Sequence, residues 1–219
     1  MGLHLITGYA GYQHVTAADQ GAFNAALLLS GSYVLNSGNK FAASVITNNS
    51  IKISDGELIM QGRHVRLKPG ETEEVTIENG EQDYKRNDLI VARYVKDSIT
   101  GAENVSFVVI KGTPDITKAS DSAYVEGNIL NGVLTADFPL YRVPIDGLNV
   151  GELVTLFETK DSFDKRIGEL EEETLRVSDV ITRAEIDALD NIEISPDIGG
   201  GTVVGEAITT EEIDNILNN

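Results

Sequence analysis

The sequence predicts an α+β protein: a mainly antiparallel β-sandwich or open barrel with one short N-terminal helix, followed by a coiled-coil-like helix and short capped C-terminal helices. Three observations carry this. Residues 1–150 hold short β-branched runs at roughly 8–15-residue spacing, with turn residues between them. From Leu153 onward the apolar period lengthens from two to roughly 3.5. Charge divides at the same place: 17 acids and 12 bases precede residue 151, and 18 acids and 5 bases follow. We therefore read 1–150 as a β-rich domain, 151–181 as an oligomerising helix, and 182–219 as an acidic segment with two short helices and a Gly-rich spacer. The boundary is placed at Gly147–Gly151, after PLYRVPIDGLNVG, whose prolines and glycines discourage both helix and central strand.

Each element has a local reason. Thr16 is placed as an N-cap with Asp19 in the first turn, and Ala22, Phe23, Ala25, Ala26, Leu27 and Leu28 continue a helix that Gly31 ends. We read it as an amphipathic helix against a sheet. Ile51, Ile53, Leu58 and Met60 flank Ser54-Asp55-Gly56-Glu57, and Asp-Gly between alternating runs predicts a tight hairpin there. His64-Val65-Arg66-Leu67 alternates, and Lys68-Pro69-Gly70 is expected to turn the chain. Val75-Thr76-Ile77 is a strand closed by Asn79-Gly80. Leu89–Val95, apolar on both faces, should be central. Val105–Ile110 should pair with it across the Asp97–Gly101 loop. Tyr141-Arg142-Val143 is a last strand.

In the final third, a heptad frame places Leu153, Lys160, Ile167, Thr174 and Ile181 at a, and Leu156, Phe163, Leu170 and Val177 at d. Seven of these nine are apolar and their surroundings are charged, which suits self-association through a seam. An isolated helix of this length is marginal in water, so it wants partners. The expected oligomer interface is Leu153, Leu156, Phe163, Ile167, Leu170, Val177 and Ile181. A short repeat follows: ITRAEIDALDN from Ile181 and ITTEEIDNILN from Ile208. Thr182/Glu185 and Thr209/Glu212 have capping-box spacing. Each unit presents an apolar pair, Ile186 with Leu189 and Ile213 with Ile216, expected to dock on a partner in helix-in-groove fashion.

Composition narrows function. The 219 residues carry a net charge of −18. Nucleic acid and anionic membrane surfaces are therefore disfavoured partners. There are no cysteines and no tryptophans, and only three histidines. His4, His14 and His64 show no metal-ligand spacing. Glu71/Glu73/Glu74 and Glu171–Glu173 read as solvated faces. No GxSxG or phosphate-loop motif occurs, so no catalytic residue, cofactor or metal is expected. Tyr9, Tyr12, Tyr84, Tyr94, Tyr124 and Tyr141 are the residues from which a sugar platform could be drawn. MGLHLITGYAGYQHV has no basic leader region or long apolar run, and Ile6 breaks a myristoylation pattern, so synthesis in the cytoplasm is expected.

HLITGYAGYQHVTAADQGAFNAALL at the start, ISDGELIMQGRHVRL, RNDLIVARY and FVVIKG in the middle, and PLYRVPIDGLNV at the junction together resemble a structural family. It is the tail-fibre and baseplate family of tailed bacteriophages and prophages of Gram-positive, especially clostridial, bacteria. The terminal ITTEEIDNILN is similar to short C-terminal repeats in such virion proteins. The resemblance spans most of the chain and is strongest over 1–157. It implies a tail-attachment role for 1–150, homo-oligomers that are often trimers, other tail or baseplate proteins as partners, and location in the virion. Receptor-binding members continue into a β-rich head, whereas here an acidic, helical segment of about 70 residues follows the β-rich part. That departure favours a non-enzymatic adaptor between the tail and its receptor-binding components. The alternative is a receptor-binding protein for host cell-wall carbohydrate; a wall-polymer hydrolase is a third reading without a motif.

Overall fold

The computed structural model describes residues 6–7 and 15–178, with the backbone alone for Phe163, Asp164 and Thr174–Ser178. The chain runs through α1 (Ala17–Leu28), β1 (Ser32–Leu35), β2 (Ala43–Thr47), β3 (Ser50–Met60), β4 (Arg63–Thr76), β5 (Lys85–Lys96) and β6 (Glu103–Ile110). A 3-10 turn (Ile129–Asn131), β7 (Thr135–Asp146), β8 (Asn149–Val150), β9 (Val154–Thr155), β10 (Thr159–Lys160) and α2 (Phe163–Ser178) follow. The described chain is thus mainly β with two helices, compatible with a sandwich or half-barrel. In one sheet β3 is the spine: β4 runs along one edge, β2 and β1 share the other, and β10 adds to β1 in parallel. In the other, β5 is central between β6 and β7, and β8 and β9 pair with β7.

The two sheets share one core. Val34, Phe41, Ile51, Ile53, Leu58 and Met60 from the first meet Ile90, Ala92, Tyr94, Leu140 and Val143 from the second. Phe41 packs edge-on against Phe107 at 5.8 Å, and the buried Tyr141 hydroxyl donates to the Phe41 carbonyl at 3.0 Å. That hydrogen bond removes the cost of burying a phenol among aliphatic side chains. β5 is central as its double-faced pattern requires: Leu89, Ile90, Val91, Ala92 and Tyr94 are all buried. It pairs with β6 across the Asp97–Gly101 loop as expected, and the register sets Leu89 opposite Ile110 and Lys96 opposite Glu103. Thr16 caps α1: its hydroxyl accepts from the Asp19 N–H at 3.1 Å and the Asp19 carboxylate accepts from the Thr16 N–H at 3.0 Å.

Three expectations are corrected. Ser54–Glu57 is no hairpin; β3 continues through it. Between Ser54 and Gly56 the ladder shifts, because β4 loops out Lys68–Glu71 opposite Asp55. Lys68-Pro69-Gly70 is therefore a bulge inside β4, not a reversal. Asp55 is held in place by the Asn39 side chain, which donates to its carboxylate at 2.6 Å. The reversal falls at Gln61-Gly62, with φ of 48° and 85°. Two positive φ values make the two-residue hairpin turn that suits twisted strands. Gly62 also lies so close to α1 that a Cβ would come 2.0 Å from the Gly21 carbonyl oxygen.

The third correction concerns the oligomer seam. Leu153 and Leu156 are in extended chain, not helix. β9 pairs with β7 through Tyr141–Thr155 and Arg142–Val154, and the Leu156 N–H donates to the Leu140 carbonyl at 2.9 Å. Leu153 and Phe157 pack on the core, with Phe157 edge-on to Tyr141 at 5.6 Å. The open edge of β7 and this burial outweigh helix propensity, so the β-rich part runs past residue 150. The chain divides into two compact units, 1–168 and 169–219. The calls on Ile181, Ile186, Leu189, Ile213 and Ile216, and on the two capped C-terminal helices, lie outside the described residues.

The long connection between β6 and β7, residues 111–134, is held by buried ion pairs, side-chain hydrogen bonds and two isolated β-bridges, Lys85 with Asp115 and Asn87 with Asp121. Asp88, wholly buried and paired with Arg86 at 2.9 Å, accepts from the Gly112 N–H at 2.7 Å. Arg142 and Asn87 both hold Asp121. Arg93 grips Asp137 through two hydrogen bonds at 2.6 and 2.7 Å, and Asp137 also accepts from the Val125 N–H at 2.8 Å. The Gln61 side chain donates to the Gly127 carbonyl at 2.8 Å and accepts from the Ile129 N–H at 2.6 Å.

Candidate functional site

A cleft of about 350 Å³ lies between β4 and β6 and is lined by Arg63, His64, Arg66, Tyr94, Glu103 and Asn104, with Val65 and Val105. Most of its polar groups are paired, although the Arg63 Nη1 is buried without a hydrogen-bond partner among the described residues. Arg63 holds Glu103 in a two-pronged pair at 2.8 and 3.1 Å. Glu57 takes both His64, at 2.6 Å, and Arg66, at 3.5 Å. The Arg63 hydrogen bonds hold the Glu103 carboxyl below its usual range, against the opposing effect of burial. A carboxylate held ionised in this way is a poor proton donor. The cleft reads as a structural ion-pair network between two sheet edges. Glu71 bonds to the Lys68 backbone at 3.2 Å and Glu74 to Ser50 at 3.2 Å, so this acidic cluster is likewise engaged locally. Among the described residues no group of three or more His, Asp or Glu side chains is placed to hold a metal ion. Tyr94 and Tyr141 are buried, and Tyr84 and Tyr124 are exposed.

The remaining candidates are apolar surfaces. α2 is launched from the β-rich unit through β10, whose Lys160 carbonyl accepts from the Asn36 N–H at 2.9 Å. Asp161 then ties to the Asn36 side chain and to Lys165, the latter at 2.9 Å. The Ser162 carbonyl accepts from the Arg166 N–H at 3.1 Å, which opens the helix. Along α2, Ile167 is 50 % and Leu170 63 % exposed, flanked by exposed Glu169, Glu171, Glu172 and Glu173. They stand three residues apart, one above the other on one helix face. Phe163 and Val177 lie on the same helix by backbone position. Of the seven expected seam residues, Phe163, Ile167, Leu170 and Val177 fall on α2 by backbone position; Leu153 and Leu156 belong to the β-rich unit.

A second surface was misread from sequence. α1 turns only Gly21 and Ala25 fully inward. Asn24 donates to the Gly62 carbonyl at 3.0 Å and helps fasten that edge. Phe23 and Leu27 are 57 % and 59 % exposed, and Ala18, Ala22 and Ala26 are exposed as well. The helix is apolar toward solvent, the reverse of an ordinary surface helix. The sequence signal was there: Gly21 and Ala25, four residues apart, are the pair small enough for close approach to a turn. Beside the ridge of Phe23 and Leu27 runs a groove of about 310 Å³ between α1 and the 3-10 turn, lined by the exposed alanines, Ile129 and Leu130.

The described residues thus form a β-rich unit and two helices, with Phe23 and Leu27 exposed on α1 and Ile167 and Leu170 exposed on α2. No protein-family model matches the chain, and no curated protein is significantly similar to it.

Proposed function

We propose that the protein is a non-enzymatic structural component of a bacteriophage tail tip or baseplate, an oligomeric adaptor that links the tail to receptor-binding components. The carrying observation is α2: an acidic helix leaves the β-rich unit with Ile167 and Leu170 exposed. Such a stripe gains shelter from water when copies associate along it, and fully burying one Ile or Leu side chain is favourable by roughly 1.5–3 kcal/mol. The tail-protein resemblance supplies the setting, and three chains is the number it favours. In this reading the protein is made in the host cytoplasm and ends in the virion, residues 1–150 face the tail, and repetition by symmetry multiplies weak contacts.

The pairs Ile186/Leu189 and Ile213/Ile216 are the proposed docking residues for the next component. Ile213→Asp with Ile216→Asp is expected to leave the oligomer mass unchanged and to abolish incorporation into particles. Particles that assemble normally with the double variant would contradict the docking role. Tyr84 and Tyr124, 37 % and 39 % exposed, favour the alternative of a receptor-binding protein for wall carbohydrate. Binding of the purified protein to host cells, lost on replacing both tyrosines by alanine, would select it.

A further inference from the structure

We propose that Asn79 is a modification site: its side-chain amide becomes a carboxylate through attack by the Gly80 nitrogen, promoted by Arg86. The chain has two Asn-Gly steps, Asn79-Gly80 and Asn131-Gly132. Glycine lets its nitrogen reach the preceding side chain because no Cβ stands in the way. By sequence the two steps are alike, and the structure separates them. The Gly132 N–H is taken by the Ile129 carbonyl at 3.0 Å. Asn79 is exposed in the loop between β4 and β5, and neither its side chain nor the Gly80 N–H bonds to any described residue.

Arg86 activates this peptide unit. Its Nη1 donates to the Asn79 carbonyl at 3.1 Å, and that carbonyl shares one amide with the Gly80 N–H. When the nitrogen loses its proton, the negative charge spreads onto this oxygen. The Arg86 guanidinium, 4 % exposed and so poorly screened, is already bonded there and stabilises the charge as it forms. The Gly80 nitrogen then bonds to the Asn79 Cγ, the Cγ–Nδ2 bond breaks, and Nδ2 leaves as ammonia with a proton from water. Water opens the resulting cyclic imide at either carbonyl, giving aspartate or isoaspartate. The fold holds the glycine in place, since a Cβ at Gly80 would lie 1.8 Å from the Gly147 carbonyl oxygen. The isoaspartyl product adds one backbone atom to the loop whose Glu78 and Asn79 carbonyls hold Arg86 beside the buried Asp88. None of this depends on the phage reading or on the α2 seam.

The full chain is incubated in mild alkali, folded or in urea, and its tryptic peptides are followed by the mass gained when NH2 becomes OH. Residues 67–85 form one such peptide, in which Asn79 is the only asparagine. In the folded chain Asn79 is expected to convert roughly tenfold faster than Asn131, and faster than it does itself in urea. In urea the two steps should run at similar rates. An Asn131 that keeps pace in the folded chain, or an Asn79 that folding slows, would overturn the proposal. Arg86→Gln, with its β signal kept, is expected to lose the advantage of Asn79; a folded variant that converts at the wild-type rate would overturn the part given to Arg86. Should that variant not fold, the comparison of folded and urea-unfolded wild type still decides.

Discussion

Asp137 shows how much a single residue settles in this fold. Its side chain is fully buried, yet it bonds Arg93 twice and the Val125 N–H once. Burial pushes its carboxyl up, but these hydrogen bonds and the Arg93 charge outweigh that and hold it below the usual aspartate range. Asp137→Ala removes one partner of a largely buried pair and frees the connection around Val125. It is expected to cost about 3 kcal/mol, read as a shift of the urea midpoint with little change in slope. Gly168 is the opposite case: nothing lies within 4 Å of where its Cβ would be. Gly168→Ala is therefore expected to stabilise α2 by about 1 kcal/mol, visible as higher helical signal and a raised melting temperature. Neither Asp137 nor its partner was legible in the sequence. Arg93 and Asp137 are far apart in the chain, and only the register of β5 with β7 sets them opposite each other.

At the scale of elements, legibility followed local chemistry. The α1 cap, the β5–β6 hairpin and the centrality of β5 could be read because a few neighbouring residues decide each. The Asp55-Gly56 step could not: its turn signal is real, but the paired neighbours on both edges of β3 override it and the strain is taken up by a bulge in β4. Leu153 and Leu156 fit a heptad by spacing alone, and the vacant edge of β7 took them as strand. For α1 the apolar residues were identified correctly and their direction was not. That direction depends on Gly62, whose positive φ and closeness to Gly21 leave no room for a side chain. Gly62→Ala is expected to strain the Gln61-Gly62 turn and loosen α1 together. Hydrogen exchange should show α1 amides losing protection while β5 amides keep theirs; unchanged protection in α1 would contradict its docking through this glycine.

At the scale of the molecule, carboxylates tie the β-rich unit together, and acid should undo it. Thr117 and the Thr117 and Lys118 amides hold Asp115 at about 2, and the Arg142 hydrogen bond lowers Asp121. Glu103 and Asp137 are lowered as well. In the unfolded chain these groups titrate near 3.8 for aspartate and 4.5 for glutamate. Between those values and the lower folded ones the unfolded chain binds more protons, so the stabilisation is full above about pH 5 and is lost as pH falls toward 2. Circular dichroism in moderate salt, which screens the net self-repulsion, should show unfolding only below pH 4; a midpoint above pH 5 would count against these pairs as the acid-sensitive ties. The central claim is that α2 works by associating with copies of itself. Light scattering of the full chain at micromolar concentration tests it most directly. The account expects three times the 23.6 kDa chain mass, falling to a single chain for Ile167→Asp with Leu170→Asp while the β signal is kept. A wild-type protein that weighs one chain, or a variant that keeps the full oligomer, would contradict it.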